Sequence, residues 1–152
     1  MVAPRSAIAS GSARALTSIV QPFVYRKYLD YGVFEALRDL HRRIRFEAER
    51  RALGRPQRYD DVKLGRGGIR EIEFIVQLLM VVRGGHFPEI RSRSTLKGLS
   101  LLANQGLIPK DVAHMLQDAY VFLRRLEHRI QYLDDQQTHL IPTHLPALLW
   151  IQ

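Results

Sequence analysis

A glycine-rich stretch with basic neighbours is the part of this sequence whose residue types best fit chemistry. Three glycines lie within four positions, at Gly65, Gly67 and Gly68, and a helical pattern starts directly after them. Glycine lets backbone amides approach a ligand or a neighbouring chain closely, and a helix start offers free N–H groups and a positive dipole end. Lys63 and Arg70 flank the glycines, so the stretch would suit a phosphate group.

The same stretch departs from the established phosphate-binding patterns. The Gly-Lys-Ser/Thr ending of a Walker loop is missing, and a Rossmann turn would require a preceding strand and a different glycine spacing. The alternative is structural, with the glycines acting as a hinge that lets the helix pack tightly. The pattern alone leaves both interpretations open.

Two carboxylates in the helix after the glycines invite comparison with a metal-binding pair. Glu71 and Glu73 are two positions apart, and at about 100° per residue their side chains diverge by about 200°, so they do not grip one ion easily. Arg70, Glu73 and Gln77 instead share a polar stripe, in which an Arg70–Glu73 contact and a substrate contact are both reasonable. No histidine set has metal-ligand spacing and no serine sits in a nucleophile elbow, so neither metal ligands nor catalytic residues are predicted.

Helical periodicity predicts the elements that position these residues. Apolar residues step by three or four over 22–53, with a break near Gly32, over 69–83 and, most regularly, over 109–134. Ser94 is a suitable N-cap for a further short helix that closes at Gly106. Because no segment alternates in the manner of a strand, the predicted fold is all-α, a bundle of about five helices. We expect the long helix at 109–134 to pack against the helix at 33–53.

The composition is that of one globular domain, with 152 residues of which 46% are hydrophobic and 25% charged. The absence of cysteine and of any apolar run long enough for a membrane span favours the cytoplasm. The net charge of +8 points to an anionic partner. In the basic segment 38–51, however, acidic residues alternate with the basic ones, and pairs such as Glu47/Arg51 have helical spacing. This pattern favours a solvated helix face. A second basic cluster on the longest helix is either solvated or, if it faces the glycine stretch, part of an anion site: Arg124, Arg125, His128 and Arg129.

Four ordered segments together resemble one enzyme family. The run from Lys63 to Gln77 is similar to the signature of the bifunctional glutamine synthetase adenylyltransferase/adenylyl-removing enzymes, in their N-terminal, adenylyl-removing half. Three further segments match the same family, at 22–30, at 83–85 with 91–94, and at 122–127 with 135–138. The resemblance implies a helical module at 21–142, a disordered or divergent N-terminus at 1–20 and a truncated or divergent tail at 143–152.

The resemblance also implies an activity for the parent enzyme. Each half of such an enzyme couples a nucleotidyltransferase domain to a helical module shared with the PII-protein uridylyltransferases. Catalysis there needs a Gly-Ser turn and an Asp-x-Asp pair that hold magnesium and phosphates. Gly11-Ser12 lacks a strand context and no Asp-x-Asp occurs, so no catalytic residue can be carried over. We therefore expect a fragment that is inactive alone and binds no cofactor itself, with Mg²⁺ and ATP/ADP used by the parent enzyme.

The implied partners are glutamine synthetase, the PII signal protein and the missing nucleotidyltransferase domain, with no membrane and no nucleic acid. We expect six residues to form the edge that faces the nucleotide or that domain: Lys63, Gly65, Gly67, Gly68, Arg70 and Glu73. One alternative is the module of a PII uridylyltransferase, which shares the Gly-Gly-Ile/Leu-Arg core, although Glu73-Phe74-Ile75 and the Arg91–Ser94 run argue against it. The other is a free-standing basic helical module that binds nucleic acid, for which affinity would fall steeply with salt.

Overall fold

The computed structural model describes residues 11–28, 31–53, 60–134 and 138–151. These residues form six α-helices and one 3₁₀ turn, and the only extended pairing among them is an isolated antiparallel bridge between Asp61 and Leu140. The helices are α1 (Gly11–Val24), α2 (Tyr31–Ala52), α3 (Ile69–Arg83), α4 (Thr95–Asn104), α5 (Lys110–Asp134) and α6 (Leu145–Ile151), with the 3₁₀ turn at Pro88–Ile90. The all-α prediction is confirmed. None of the helices in the described ranges is long and apolar enough to cross a membrane.

The main hydrophobic core lies between α3, α4 and α5. Val76 of α3 is almost fully buried, and Leu99 and Leu102 of α4 are completely so. Partly buried residues of α5, among them Leu116 and Leu123, close the other side. Each large apolar side chain buried in this way contributes about 1.5–3 kcal/mol relative to exposure. These three helices therefore form the frame on which the glycine stretch is mounted.

Local sequence signals locate the helix ends of this frame. Helix α3 begins at Ile69, directly after the glycines, and ends at Arg83 as predicted. The Oγ of Ser94 accepts a hydrogen bond from the Lys97 amide at 3.3 Å, which confirms the predicted N-cap of α4. Helix α5 begins at Lys110, immediately after Pro109. These ends are set by neighbours in sequence and need no knowledge of the tertiary packing.

The predicted packing of the long helix against the helix at 33–53 is wrong. Helix α5 packs mainly against α4 and α3, and α6 joins it as well. Helix α2 meets α3 instead, through a stack of the His41 and Phe74 rings with centroids 4.7 Å apart. Leu40 and Ile44, which carry the α2 pattern, are 49% and 41% exposed. Periodicity identifies an apolar face but not the element that covers it, and here α4 covers α5.

The exposed side of α2 carries short-range ion pairs. Asp39 lies 2.8 Å from Arg42, and Glu47 lies 3.1 Å from Arg50, each pair three residues apart on the helix. Such exposed pairs contribute little to stability, about 0.3–0.5 kcal/mol each. They agree with the solvated-face interpretation of this basic segment. The side chain of Arg51, the partner expected for Glu47, lies outside the described part of the chain.

Helices are also present near both ends of the described chain. Helix α1 covers Gly11–Val24 and so begins within the N-terminal segment expected to be disordered or divergent, while 1–10 lie outside the described residues. Helix α1 ends at Val24 and α2 begins at Tyr31, so the break precedes Gly32. The tail contains α6, in which Ala147 is 2% exposed and Leu148 packs against the Val62 and Ile130 pair. The apolar tail thus packs against α5.

Candidate functional site

Residues 60–68 form an ordered loop before α3 that is held by hydrogen bonds to its own backbone amides. The Asp61 carboxylate accepts hydrogen bonds from the amides of Lys63 at 2.9 Å and Leu64 at 2.8 Å. The Gly65 amide donates to the Asp61 carbonyl at 2.8 Å. An aspartate that bonds the backbone two residues on is a standard way to stabilise a turn.

The last two glycines turn the loop into α3. Gly67 has a φ of +75°, which a residue with a side chain rarely adopts, and its amide donates to Glu71 Oε2 at 3.0 Å. Gly68 is the N-cap of α3 and is buried. A Cβ at Gly68 would lie 2.8 Å from the carbonyl oxygens of both Val62 and Gly65. Close backbone approach is thus used within the chain itself, which supports the hinge interpretation at this position.

The first amides of α3 are already hydrogen bonded. The Ile69 amide donates to the Val62 carbonyl, the Arg70 amide to the Lys63 carbonyl, and the Glu71 amide to the Gly68 carbonyl, each at 3.1 Å. The expectation that this helix start offers free N–H groups is therefore wrong for these three amides. The loop supplies the partners that an anion would otherwise provide.

A buried carboxylate on α5 forms an ion pair with the lysine of the loop. Lys63 Nζ lies 3.1 Å from Glu127 Oε1, and Arg124 Nη1 lies 2.6 Å from Glu127 Oε2. Glu127 is 2% exposed, and burial alone would raise its pKa, but the hydrogen bond and charge of Lys63, together with Arg124, hold the pKa below its ordinary value. Of the basic cluster of α5, Arg124 reaches the carboxylate beside the glycine loop, whereas Arg125, His128 and Arg129 are exposed. The anion held between Arg124 and Lys63 is the chain's own Glu127.

A third segment joins at the same carboxylate. His139 Nδ1 lies 3.2 Å from Glu127 Oε1, and the His139 carbonyl accepts the Val62 amide at 3.0 Å. The Ile141 amide donates to the Asp60 carbonyl at 3.1 Å, on the far side of the isolated bridge. Of the family-like segment 135–138, only Thr138 belongs to the described residues. The glycine loop, α5 and segment 138–141 thus meet around one buried acid, which we call the Glu127 cluster, comprising Lys63, Arg124, Glu127 and His139.

Glu73 contacts α5 rather than a neighbour on its own helix. The Tyr120 hydroxyl donates to Glu73 Oε1 at 3.0 Å, and the Arg124 guanidinium lies 5.9 Å from the Tyr120 ring centroid. Burial, with a smaller contribution from Glu73, raises the pKa of Tyr120 above its ordinary value. Because Glu71 binds the Gly67 amide instead, the predicted divergence of the two carboxylates is confirmed.

The six predicted site residues therefore have different surroundings. Lys63 and Glu73 are engaged with α5, and the glycines shape the loop. Arg70 is exposed, as are Arg66 and Gln77 of the same sequence motif. Among the three charged residues of the predicted site, Arg70 is thus the exposed one. Whether the edge faces a nucleotide or another domain stays a prediction.

A second contact unites the remaining family-like segments. Arg91 Nε donates to the Gly84 carbonyl at 2.8 Å, and its guanidinium lies 4.7 Å from the centroid of the Tyr25 ring. Each of these three residues comes from a different stretch that resembles the family, at 22–30, 83–85 and 91–94. A guanidinium over an aromatic face contributes about 0.5–1 kcal/mol at an exposed site. The segments that match by sequence are therefore brought together in space as two clusters.

Sequence reasoning missed the acid at the centre of the first cluster. Glu127 lies four residues after Leu123 and three before Ile130, both on the core-facing side of α5. A lone acid on an apolar helix face is the signal that would have identified it, because a buried charge needs a partner. His139 and Tyr120 carry no comparable signal, since each becomes a partner only through the tertiary fold.

Known proteins resemble most of this chain. The family model described as GlnD PII-uridylyltransferase matches residues 38–151, which includes α6 and extends beyond the boundary expected at 142. A relative from Burkholderia mallei is 53% identical over 137 residues, covering 90% of this chain and 15% of the relative. Relatives from Bordetella pertussis and Nitrosomonas europaea are 51% and 46% identical, covering 86% and 92% of this chain and 14% and 15% of their own lengths.

All three relatives carry one name, bifunctional glutamine synthetase adenylyltransferase/adenylyl-removing enzyme. This chain spans about 15% of the length of the curated relatives it matches.

Proposed function

This chain belongs to the GlnD PII-uridylyltransferase domain family. From this premise, and from its similarity to the bifunctional glutamine synthetase adenylyltransferase/adenylyl-removing enzymes, we propose that it is the helical module of such an enzyme. In this proposal the module stands beside a nucleotidyltransferase domain and helps to control nitrogen assimilation in the cytoplasm. The parent enzyme uses Mg²⁺ with ATP or ADP, acts on glutamine synthetase and responds to the PII signal protein.

The contacts that hold the glycine loop are the observation that supports this role. An edge that positions another domain must keep its shape, and this loop is bound to α5 by the Lys63–Glu127 pair and to segment 138–141 by backbone hydrogen bonds. Arg66 and Arg70 are exposed on this loop and on the first turn of α3. We propose that these two guanidinium groups face the phosphates or carboxylates of the nucleotidyltransferase cleft, since arginine pairs well with both.

The division of labour differs from the one expected from the sequence. Lys63 and Glu73 serve to hold the edge through α5, whereas Arg70, joined by Arg66, provides its outward charge. Gly65, Gly67 and Gly68 give the loop the tight path that this arrangement needs. Our proposal keeps the predicted edge but gives its buried and its exposed residues different roles.

The alternative of a PII uridylyltransferase module is favoured by the description of the matching family model. The relatives at 46–53% identity are nevertheless named as adenylyltransferases of glutamine synthetase. An assay of the full-length protein separates the two proposals. Transfer of UMP to a PII protein, without transfer of AMP to glutamine synthetase, would establish the alternative.

The test of the proposed edge uses a full-length enzyme that carries this segment. Arg66→Ala and Arg70→Ala should each lower the rate of deadenylylation about ten-fold, equivalent to about 1.4 kcal/mol of transition-state stabilisation. The melting temperature should stay unchanged because both side chains are exposed. Arg43→Ala, at an exposed arginine of α2, is the matched control and should leave the rate unchanged. Wild-type rates in the Arg66→Ala/Arg70→Ala double variant would refute the assignment.

A further inference from the structure

A cleft between α1 and the segment after the 3₁₀ turn has the size of a small-molecule site. Its volume is about 340 Å³, and small ligands bind in clefts of about 300–1,000 Å³. Five residues line it, namely Ser18, Gln21, Pro22, Tyr25 and Arg91. The first four follow one another at helical spacing, and the Tyr25 amide still donates to the Gln21 carbonyl, so one side of α1 forms a wall. Arg91, which is remote in sequence, completes the lining.

The guanidinium of Arg91 is held in a fixed plane at this cleft. Its Nε donates to the Gly84 carbonyl at 2.8 Å, and its carbon atom lies 4.7 Å from the centroid of the Tyr25 ring. The two terminal amino groups bond to no other residue that the structure describes. A guanidinium held in this way presents these amino groups side by side, which is the geometry that a carboxylate binds with two parallel hydrogen bonds. Arg91 therefore retains the edge that recognises an anion.

The rest of the lining is neutral, with a polar part and an apolar part. Gln21 is exposed, and its side-chain amide has no hydrogen-bond partner among the described residues. The Ser18 hydroxyl is already used, since it donates to a carbonyl of its own helix at 2.7 Å. Pro22 and the Tyr25 ring provide apolar surface. Because no acid belongs to the lining, the positive charge of Arg91 determines the sign of the cleft.

We propose that this cleft binds a small molecule with one carboxylate, which Arg91 and Gln21 hold, and with a compact apolar body that rests on Pro22 and Tyr25. This goes beyond the proposed function, because neither the Glu127 cluster nor the glycine loop belongs to the lining. A carboxylate carries one negative charge and matches the one guanidinium. A phosphate monoester carries about 1.5–2 negative charges at pH 7 and would be only partly neutralised, so it fits this lining less well.

A purely structural role for Arg91 is the alternative. Its contacts with Gly84 and Tyr25 join three stretches of the chain, and they would be needed even if no ligand bound. Gln21 distinguishes the two roles, because its side chain contributes to the lining but takes no part in that contact. A substitution at Gln21 should therefore change ligand binding and spare the fold. Glutamate is the sharpest choice, since it introduces a carboxylate of the chain itself into the cleft.

Benzoate is the probe, with benzamide as its uncharged isostere. Nitrogen-15 NMR of the 152-residue chain follows the Tyr25 amide and the Arg91 Nε–H, whose hydrogen bond to Gly84 slows its exchange with water. We expect benzoate to shift these resonances saturably and benzamide to leave them in place. Gln21→Glu and Arg91→Gln should each weaken benzoate binding about ten-fold or more, because the first repels the anion and the second removes its charged donor.

Two substitutions at exposed positions outside the lining are the matched controls. Gln105→Glu introduces the same charge as Gln21→Glu, and Arg93→Gln removes the same charge as Arg91→Gln two residues away. Both controls should bind benzoate as the wild type does. Circular dichroism of each variant verifies that it is folded, and if Arg91→Gln is not, Gln21→Glu alone decides.

Several results would overturn the proposal. They are the absence of a saturable shift with benzoate, equal binding of benzamide, wild-type binding by Gln21→Glu, or an equal loss of binding in the controls. Tighter binding of phenyl phosphate than of benzoate would assign the cleft to phosphate instead. Tighter binding of a capped peptide with a single glutamate would assign it to the side chain of a protein rather than to a small molecule.

Discussion

The ammonium group of Lys63 lies 3.1 Å from Oε1 of Glu127, a carboxylate whose side chain is 2% exposed. The pair joins the glycine loop before α3 to the inner face of α5, and Arg124 binds the other carboxylate oxygen at 2.6 Å. A buried charge that keeps two partners is tolerated, whereas one that loses a partner is costly. The shape of the loop therefore depends on an acid that is remote in sequence, which leads to four predictions.

Replacing Lys63 by methionine should destabilise the fold. Glu127 then retains Arg124 but loses the ion pair at Oε1, and leaving a buried charged group with a partner missing costs at least about 1–3 kcal/mol. The free energy of unfolding from urea denaturation measures the effect. Arg66→Met, at an exposed position three residues later, is the control and should change the free energy by less than about 0.5 kcal/mol. Equal stabilities of the two variants would show that the pair contributes nothing.

Acid should remove the contribution of Glu127. Its pKa is lower in the folded state than in the unfolded state, so the stabilisation is complete above the unfolded pKa of about 4.3 and is lost as the pH falls through the folded pKa. At pH 7 the wild type should have a higher melting temperature than Glu127→Gln, and this difference should shrink as the pH falls below about 4.3 and vanish below the folded pKa. Calorimetry from pH 7 downward measures this. A difference that stays constant over the whole range contradicts the assignment.

A methyl group at Gly68 should disturb the loop. An alanine Cβ there would lie 2.8 Å from two backbone carbonyl oxygens, which cannot move as a flexible side chain does. Overpacking of this kind costs about 1–3 kcal/mol. Gly32→Ala is the matched control, because a Cβ at Gly32 in α2 meets nothing within 4 Å. Thermal unfolding should show a lower melting temperature for Gly68→Ala and no loss for Gly32→Ala. The reverse order would exclude close packing as the reason for glycine at 68.

The Tyr120–Glu73 hydrogen bond should behave as a coupled pair. Tyr120→Phe and Glu73→Met should each lower the free energy of unfolding by about 1 kcal/mol, because each removes a partly buried hydrogen bond between α5 and α3. The double variant should be little worse than either single one, since both remove the same contact. Denaturant titrations of the four proteins give the coupling energy. Strict additivity would show that the two side chains do not interact.

Sequence alone predicted the elements whose signals are local. The glycines before Ile69, the Ser94 cap and Pro109 place the starts of α3, α4 and α5 correctly, because each signal acts on the backbone next to it. The resemblance to the enzyme family was also correct. These are the parts of the fold that need no long-range information.

Sequence alone did not predict which faces meet. The apolar row of α5 indicates a packed helix, but only the fold shows that α4 rather than α2 covers it. The same holds for Lys63, whose charge suited an external phosphate until Glu127 was found beside it. Hydrogen bonds of the Arg70 amide were likewise hidden, because their acceptor is a carbonyl of the preceding loop. Partner identity is a tertiary property in each case.

The antiparallel bridge between Asp61 and Leu140 bears on the order of folding events. Its two residues lie on either side of α3, α4 and α5 in the sequence, so pairing them closes a very long loop. Closing such a loop costs conformational entropy, which contacts made earlier must offset. The three helices can nucleate through contacts closer in sequence, and we expect the bridge to form after the transition state, with φ-values near zero at Val62 and Ile141. In native-state hydrogen exchange the amides of these two residues should then open before those of α4, so that the glycine loop is released as an early, separate unit of unfolding.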